Sequence, residues 1–232
     1  MEKPVAMISG AGRGIGRATA IELARLGYNL ALLSRSSEQL QQTASLAGNG
    51  LVIPTDVRRF DQVQAAVAQT ARELGRVDAI VHCAGLAPVV PLADMSVEEW
   101  HAVIDTNLSA AFYLYKAVHP VFQKQGSGVM VNVSSQSARD PFPGFGAYGA
   151  AKAGVNLLGW SAAREGQSIG VRVHTIAPGA VETEMFRQIM TPDQFPREKT
   201  LDPADVAKVI CDCVTGNLRY ASGEVIYLRK TL

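Results

Sequence analysis

The sequence predicts an α/β fold: a single-domain, doubly wound parallel sheet of seven strands with helices on both faces. Three observations predict it. Seven short apolar runs alternate with longer helical patterns along the 232 residues. Most of these runs are apolar throughout, as strands covered on both faces must be. A glycine-rich turn, Ser9-Gly10-Ala11-Gly12-Arg13-Gly14-Ile15-Gly16, joins the first run to the first helical pattern.

Taken in order, the strands are expected at Val5–Ser9, Asn29–Ser34, Leu51–Thr55, Ala79–Cys83, Val129–Val133, Arg172–Ile176 and Glu224–Leu228. The helices are expected at Gly14–Leu26, Ser37–Ala47, Asp61–Leu74, Val97–Gln123, Tyr148–Ser168 and Pro203–Thr215. Three helix starts are legible. Ser36-x-x-Gln39 and Ser96-x-x-Glu99 read as capping boxes. Asp202-Pro203 places a capping carboxylate before a first-turn proline. Residues Ala177 to Leu201 carry no clear element, and long irregular stretches in compact domains are often lids. No linker, repeat or low-complexity stretch divides the chain, so one domain spanning residues 1–232 is expected.

Composition narrows the class. Apolar residues make up 47% and charged residues 19%, which suits a globular protein with a sizeable core. A net charge of +1, without basic runs, gives no electrostatic pull towards nucleic acid or an anionic membrane. No apolar stretch approaches a membrane span, and the apolar residues after Met1-Glu2-Lys3-Pro4 are too few for a signal segment. Cys83, Cys211 and Cys213 are odd in number and show no zinc spacing. Reduced thiols in a cytoplasmic protein, with no metal, follow as the expectation.

The glycine-rich turn points to a dinucleotide. Glycines there permit a tight turn and close approach of the backbone to a pyrophosphate. The following helix start offers free N–H groups and a favourable dipole. The second strand ends in Leu32-Leu33-Ser34-Arg35-Ser36, with no carboxylate to take a ribose 2′-hydroxyl. Arg35 and Arg13 instead suit a 2′-phosphate, with the Ser34 hydroxyl assisting, so NADP(H) is the expected cofactor.

A second pattern lies in Tyr148-Gly149-Ala150-Ala151-Lys152. Residues four apart share a helix face. An adjacent ammonium group favours phenolate, easing proton transfer by a tyrosine whose unperturbed pKa is about 10.

Together these segments resemble the short-chain dehydrogenase/reductase family, from the glycine-rich turn to about Thr183. The resemblance implies a Rossmann-type domain, a nicotinamide cofactor and an Asn-Ser-Tyr-Lys constellation at Asn107, Ser135, Tyr148 and Lys152. Ser135, the second serine of Ser134-Ser135, has the family's spacing to the tyrosine. Ser9, Gly10, Gly12, Arg13, Gly14, Ile15 and Gly16 would then carry the pyrophosphate, with Ser34 and Arg35 at the adenosine ribose. Asp56 and Val57 would meet the adenine. Ala84 and Gly85 would form the floor of the cofactor loop. Pro178, Gly179, Val181 and Thr183 would face the nicotinamide. The Arg13/Arg35 pair is similar to that of the NADPH-preferring carbonyl reductases.

The implied chemistry is reversible hydride transfer between NADPH and a ketone or aldehyde. Tyr148 would serve as general acid and base, and Ser135 would polarise the carbonyl oxygen. Lys152 would lower the tyrosine pKa and bind the nicotinamide ribose, and Asn107 would hold a water leading to solvent. Ser137, Arg139, Phe142, Phe145, Met185, Phe186 and Met190 are expected to line the substrate pocket, whose mixed character suits a mid-sized, partly apolar carbonyl compound.

Three departures from the family pattern stand out. His82-Cys83 replaces the usual Asn-Asn before Ala84-Gly85, with His82 expected to be an interior residue. The arginine pair of acyl-carrier-protein reductases would fall near Gly126 and Ile169 and is absent. Tyr227-Leu228-Arg229-Lys230-Thr231-Leu232 replaces the usual Gly-Gly tail of the tetramer contact. A 3-oxoacyl-thioester reductase is thus the alternative within the class, and a non-catalytic NADP(H)-binding sensor or scaffold the alternative outside it. A homodimer or homotetramer is expected through the two long helices, with Ala110, Ala111, Ala150 and Ala153 as examples of their surplus small residues.

Overall fold

The computed structural model describes residues 3–230. Seven strands form one sheet: β1 (Val5–Ser9), β2 (Asn29–Ser34), β3 (Leu51–Pro54), β4 (Ala79–His82), β5 (Gly128–Val133), β6 (Val171–Pro178) and β7 (Val225–Leu228). Their order is β3-β2-β1-β4-β5-β6-β7, and every recorded pairing is parallel. All seven expected strands are present, with ends moved by at most two residues.

The helices are α1 (Gly14–Arg25), α2 (Ser37–Ala47), α3 (Phe60–Leu74), α4 (Val97–Ile104), α5 (Ala110–Gln125), α6 (Gly146–Gly166), α7 (Glu184–Arg187) and α8 (Pro203–Thr215). Alternate strand residues enter two apolar layers. Ala6, Ile8, Val131 and Ile176 pack with Ala20 and Leu23 of α1, Leu40 of α2 and Ile210 of α8. Met7, Ile80, Met130 and Val173 pack with Val63 of α3, Leu114 and Phe122 of α5 and Val155 of α6. Burial on both faces explains why the strands read as continuous apolar runs.

Two expectations need correction. The pattern Val97–Gln123 is not one helix. It runs through α4, a π-helical segment at Asp105–Ser109, and α5. The apolar period continues across the join, so periodicity alone does not reveal the wider turn. The stretch Ala177–Leu201 also has structure of its own. It holds the end of β6, α7, a 3-10 turn at Arg197–Lys199 and a parallel bridge between Val181 and Leu201.

Caps account for the helix starts. At α4 the box is reciprocal: Ser96 Oγ accepts from Glu99 N–H at 3.1 Å, and Glu99 accepts from Ser96 N–H at 2.9 Å. At α2 only half of the box forms, with Ser36 Oγ accepting from Gln39 N–H at 3.3 Å. The Gln39 side chain lies against the glycine-rich turn instead, 2.9 Å from where a Cβ on Gly12 would sit. Asp202 caps α8 by accepting from Ala204 N–H at 2.8 Å.

Candidate active site

β1 and β4 are neighbours, while the chain winds outward from β1 through β2 and from β4 through β5. Crevices at such a reversal, beyond the carboxyl ends of the strands, are where nucleotides bind in open α/β sheets. The glycine-rich turn occupies that position. Gly10 has φ +66°, and a Cβ there would sit 2.7 Å from Ala84 N, so the turn presses directly on the exit of β4. Gly14, at φ +54°, opens α1 and leaves only 3.2 Å between a would-be Cβ and Thr183. A side chain at either position would press on these neighbours and push the turn away from the strand ends, and both conformations favour glycine. This cradle fits the dinucleotide expected from the motif.

At the end expected to take the adenosine, the loops after β2 and β3 leave side by side. Ser34 pairs in register with Pro54, and Thr55 N–H donates to Ser34 O at 2.8 Å. Arg35 is exposed there, and its charge helps to hold the Asp56 carboxyl below its usual range. The largest cause of that lowering is Arg58, whose Nε lies 3.0 and 3.1 Å from the two Asp56 oxygens and whose Nη2 lies 2.6 Å from Oδ2. Arg13 does not point to this end. It forms an ion pair with Glu184 of α7 at 2.8 Å, across the mouth of the turn.

Asn107 lies in the π-helical segment and is fully buried. Its Nδ2 donates to Leu86 O at 2.8 Å and Val103 O at 2.9 Å, while its Oδ1 has no protein partner. His82 is the bridge behind it. Its Nε2 lies 3.2 Å from Asn107 O, and its Nδ1 lies 2.8 Å from Ser9 Oγ. Because a carbonyl can only accept, Nε2 carries the proton and Nδ1 accepts from the Ser9 hydroxyl. Burial pushes the His82 pKa down to about 3, with the Lys152 charge adding to the effect. His82 is therefore the neutral interior residue expected from the sequence.

Lys152 and Tyr148 project from α6, which starts two residues before Tyr148. Lys152 Nζ donates to Val133 O at 2.7 Å and lies 5.5 Å from the Tyr148 ring centroid. Burial draws the Lys152 pKa down to about 8. The Tyr148 phenol is pushed up to about 12, chiefly by burial, with the Ser135 hydroxyl pulling the other way. Burial outweighs the influences that favour phenolate, so the net depression expected from the Tyr148/Lys152 spacing is not found in the chain without cofactor. Gly85 marks where the groups converge. A Cβ there would sit 3.1 Å from Asn107 Oδ1, 3.9 Å from Lys152 Nζ and 3.9 Å from Met185 Cε.

The profile of the family described as short chain dehydrogenase matches residues 4–194. The chain belongs to that family. Among curated relatives of this short chain dehydrogenase, an uncharacterized oxidoreductase of Staphylococcus haemolyticus is 35% identical over 213 residues, covering 91% of this chain and 90% of the relative. The 3-oxoacyl-[acyl-carrier-protein] reductase of Staphylococcus aureus is 32% identical over 236 residues, covering 96% and 95%. The crystal structure of levodione reductase superposes with a TM-score of 0.91 at 28% identity, covering 98% of this chain and 96% of that one. The family uses a nicotinamide cofactor, and the dehydrogenase is an oxidoreductase with the Rossmann-type sheet.

In this dehydrogenase the candidate substrate residues divide into groups. Phe142 stacks on Phe145 at 4.1 Å, and Phe145 meets the Tyr148 ring edge-on at 5.3 Å. Met185 reaches Gly85 from α7, whose start is capped by Thr183 Oγ1 accepting from Phe186 N–H at 3.2 Å. Phe186 instead packs on Phe195 at 5.3 Å, and Met190 O accepts from Arg187 at 3.3 Å. Arg139 is exposed and lies over the Tyr227 ring at 4.6 Å, so its charge is tied to the β7 end. Ser137 N–H donates to Ser135 Oγ at 3.1 Å, which orients the hydroxyl. Gly179 N–H donates to Leu228 O at 2.9 Å, anchoring the Pro178-Gly179 segment to β7. Of the tail read from the sequence, Thr231 and Leu232 lie outside the described residues.

Three positions escaped the sequence reading. Arg58 and Glu184 are described above. Arg17 donates to Gly12 O and, at 3.1 Å, to Thr43 Oγ1, bracing the glycine-rich turn from α1. Only Arg58 left a local signal, two residues after Asp56. The partners of Arg17 and Glu184 are set by how loops meet.

Proposed function

We propose that the chain is an NADP(H)-dependent oxidoreductase interconverting a ketone or aldehyde and its alcohol. The observation that carries this reading is the convergence of Asn107 Oδ1, Lys152 Nζ and Met185 on Gly85, beside a Tyr148 flanked by Ser135. When bound, the nicotinamide cofactor supplies or accepts the hydride. The side chains then have one task each. A phenol with a pKa pushed up to about 12 is protonated at neutral pH, the form that delivers a proton to a carbonyl oxygen. Ser135 Oγ–H binds and polarises that oxygen. Lys152, held by Val133 O, presents a buried cation to the site and to the cofactor ribose. The unpartnered Asn107 Oδ1 suits a water leading protons out.

NADP(H) is favoured over NAD(H) because the loops after β2 and β3 carry Arg35 and Arg58 and the only carboxylate between them, Asp56, is already paired. Ser34, Asp56, Val57, Ala84, Pro178, Gly179, Val181 and Thr183 complete the proposed cofactor groove. Phe142, Phe145 and Met185 are its best-supported substrate contacts.

A second reading, reduction of a 3-oxoacyl thioester, is favoured by the likeness to the Staphylococcus aureus reductase. Gly126 and Ile169 stand where the carrier-binding arginines are expected, which favours a free carbonyl compound. Three free thiols agree with a cytoplasmic setting, and no helix among the described residues is long and apolar enough to cross a membrane. The same reading treats the sheet and its helices as one domain.

Self-association belongs to the proposal, with revised residues. Ala110 and Ala111 are buried within the chain's own core and are not available to a partner. Ala150 and Ala153 are exposed on α6, as are the larger Leu157 and Trp160, and Phe112 is exposed on α5.

The test is Tyr148→Phe, assayed by NADPH oxidation with a panel of ketones, aldehydes, quinones and acyl thioesters. Turnover should fall at least about 100-fold, the scale of a lost general acid. NADPH binding should stay within about twofold, because the hydroxyl contributes little to ground-state binding on this reading. Undiminished turnover would falsify the role of Tyr148.

A further inference from the structure

We propose that Arg58 determines the preference for a 2′-phosphorylated cofactor by neutralising Asp56. The inference rests on the NADP(H) reading above and adds a residue and a mechanism to it. β2 and β3 end in register, so Arg35 and Asp56 emerge side by side at the adenosine end of the groove. A phosphate monoester carries close to two negative charges near neutral pH. A bare carboxylate beside that site would repel it, and would compete with it for Arg35.

The geometry around Asp56 removes both problems. Arg58 grips the carboxylate as a fork, with Nε at 3.0 Å from Oδ1 and Nη2 at 2.6 Å from Oδ2. The backbone N–H of Arg58 adds a third donor to Oδ1 at 3.1 Å. Asp56 N–H is itself held by Gln62 Oε1 at 2.8 Å, so the carboxylate cannot swing towards the β2 loop without breaking a set of bonds. Two-point contact to both oxygens is a property of guanidinium, which lysine lacks. Asp56 Oδ1 already accepts two bonds, so Asp56 keeps at most one acceptor site, on Oδ2, for an adenine amino group while its charge is balanced locally. Arg35 is left for the phosphate.

Shielding and direct contact by Arg58 have different consequences. If Arg58 bound the phosphate itself, Asp56 would be incidental. If Arg58 acts through Asp56, removing both charges together should leave phosphate binding nearly whole.

Titration calorimetry of the full chain with adenosine 2′,5′-bisphosphate and adenosine 5′-monophosphate, at low ionic strength, distinguishes the cases. Arg58→Gln should weaken the bisphosphate about tenfold, the scale of one uncompensated charge at a partly exposed site, and the monophosphate by no more than about twofold. The double variant Asp56→Asn/Arg58→Gln should return the ratio of bisphosphate to monophosphate affinity to within about threefold of the parent ratio, any loss at the adenine being common to both nucleotides. Equal losses for both nucleotides in Arg58→Gln, no loss, or a double variant whose ratio is as low as that of Arg58→Gln would each overturn the shielding role. A parent chain that binds both nucleotides alike would overturn the NADP(H) reading and this inference with it. A discriminating parent with an unaffected Arg58→Gln overturns the inference alone. The monophosphate serves as an internal check that each variant keeps a folded site.

Discussion

Replacing His82 by asparagine, the residue more usual in the family at this position, should flatten the acid limb of the stability curve. The imidazole is fully buried, and its pKa falls from 6.5 to about 3 on folding. The folded chain therefore resists a proton that the unfolded chain accepts. Stability is fully present above pH 6.5 and is lost as the pH falls towards 3. Each pH unit in that window removes about 1.4 kcal/mol, so the full window is worth up to about 5 kcal/mol. Asparagine does not titrate. It should also lose one of the two bonds to Ser9 Oγ and Asn107 O, at about 1–3 kcal/mol near neutral pH. The variant should be less stable at pH 7 and should cross the parent about one to two units below 6.5, where acid has cost the parent as much. His174, drawn down to about 4 chiefly by burial, titrates in both proteins and cancels in the difference. Urea unfolding followed by the fluorescence of Trp100 and Trp160, repeated from pH 7.5 down to 4, measures this directly. Parallel curves for the two proteins through the acid range would refute the argument. They would mean that His82 is protonated, or solvated, in the folded chain.

Two further outcomes test other parts of the site. Arg35→Asp places a carboxylate where a ribose 2′-hydroxyl would be bound and should move the NADPH/NADH ratio of kcat/KM towards NADH by at least about tenfold. An unchanged ratio would remove Arg35 from the cofactor site. Leu157→Glu/Trp160→Glu charges the exposed α6 face and should lower the oligomeric state measured by sedimentation, with the monomer's melting temperature little altered. A variant that sediments like the parent would exclude this face from the contact.

Much of this architecture was legible along the chain, for physical reasons that are local. Apolar runs covered on both faces read as parallel strands whatever the loops do. The glycines of residues 10–16 announce a turn that admits phosphate, because no other residue tolerates the φ angles of Gly10 and Gly14 so readily. Tyr148 and Lys152 lie four apart on α6, so their shared face follows from helix geometry. Other features were hidden. The π-helical segment leaves no mark in the apolar period of residues 97–123, yet it sets Asn107 and its unpartnered oxygen in the interior. Ala110 and Ala111 read as surplus small residues but are core. The mild unsuitability of asparagine for a helix interior was the one hint.

By itself, the sequence determined the class of fold, the glycine-rich turn and the shared helix face of Tyr148 and Lys152, because these rest on short-range periodicity, glycine sterics and spacing; that Asn107 and Ser135 join them in a candidate site followed from the family resemblance. Only the tertiary structure decided their surroundings. It set His82 between Ser9 and Asn107, turned Arg13 to Glu184 and Arg139 to Tyr227, and closed Arg58 on Asp56 beside Arg35. It also put the Tyr148 phenol under a burial effect that outweighs the pull of the Ser135 hydroxyl. The charge of a side chain is written in its identity, but its partner and its exposure to water depend on which loops meet beyond the strand ends.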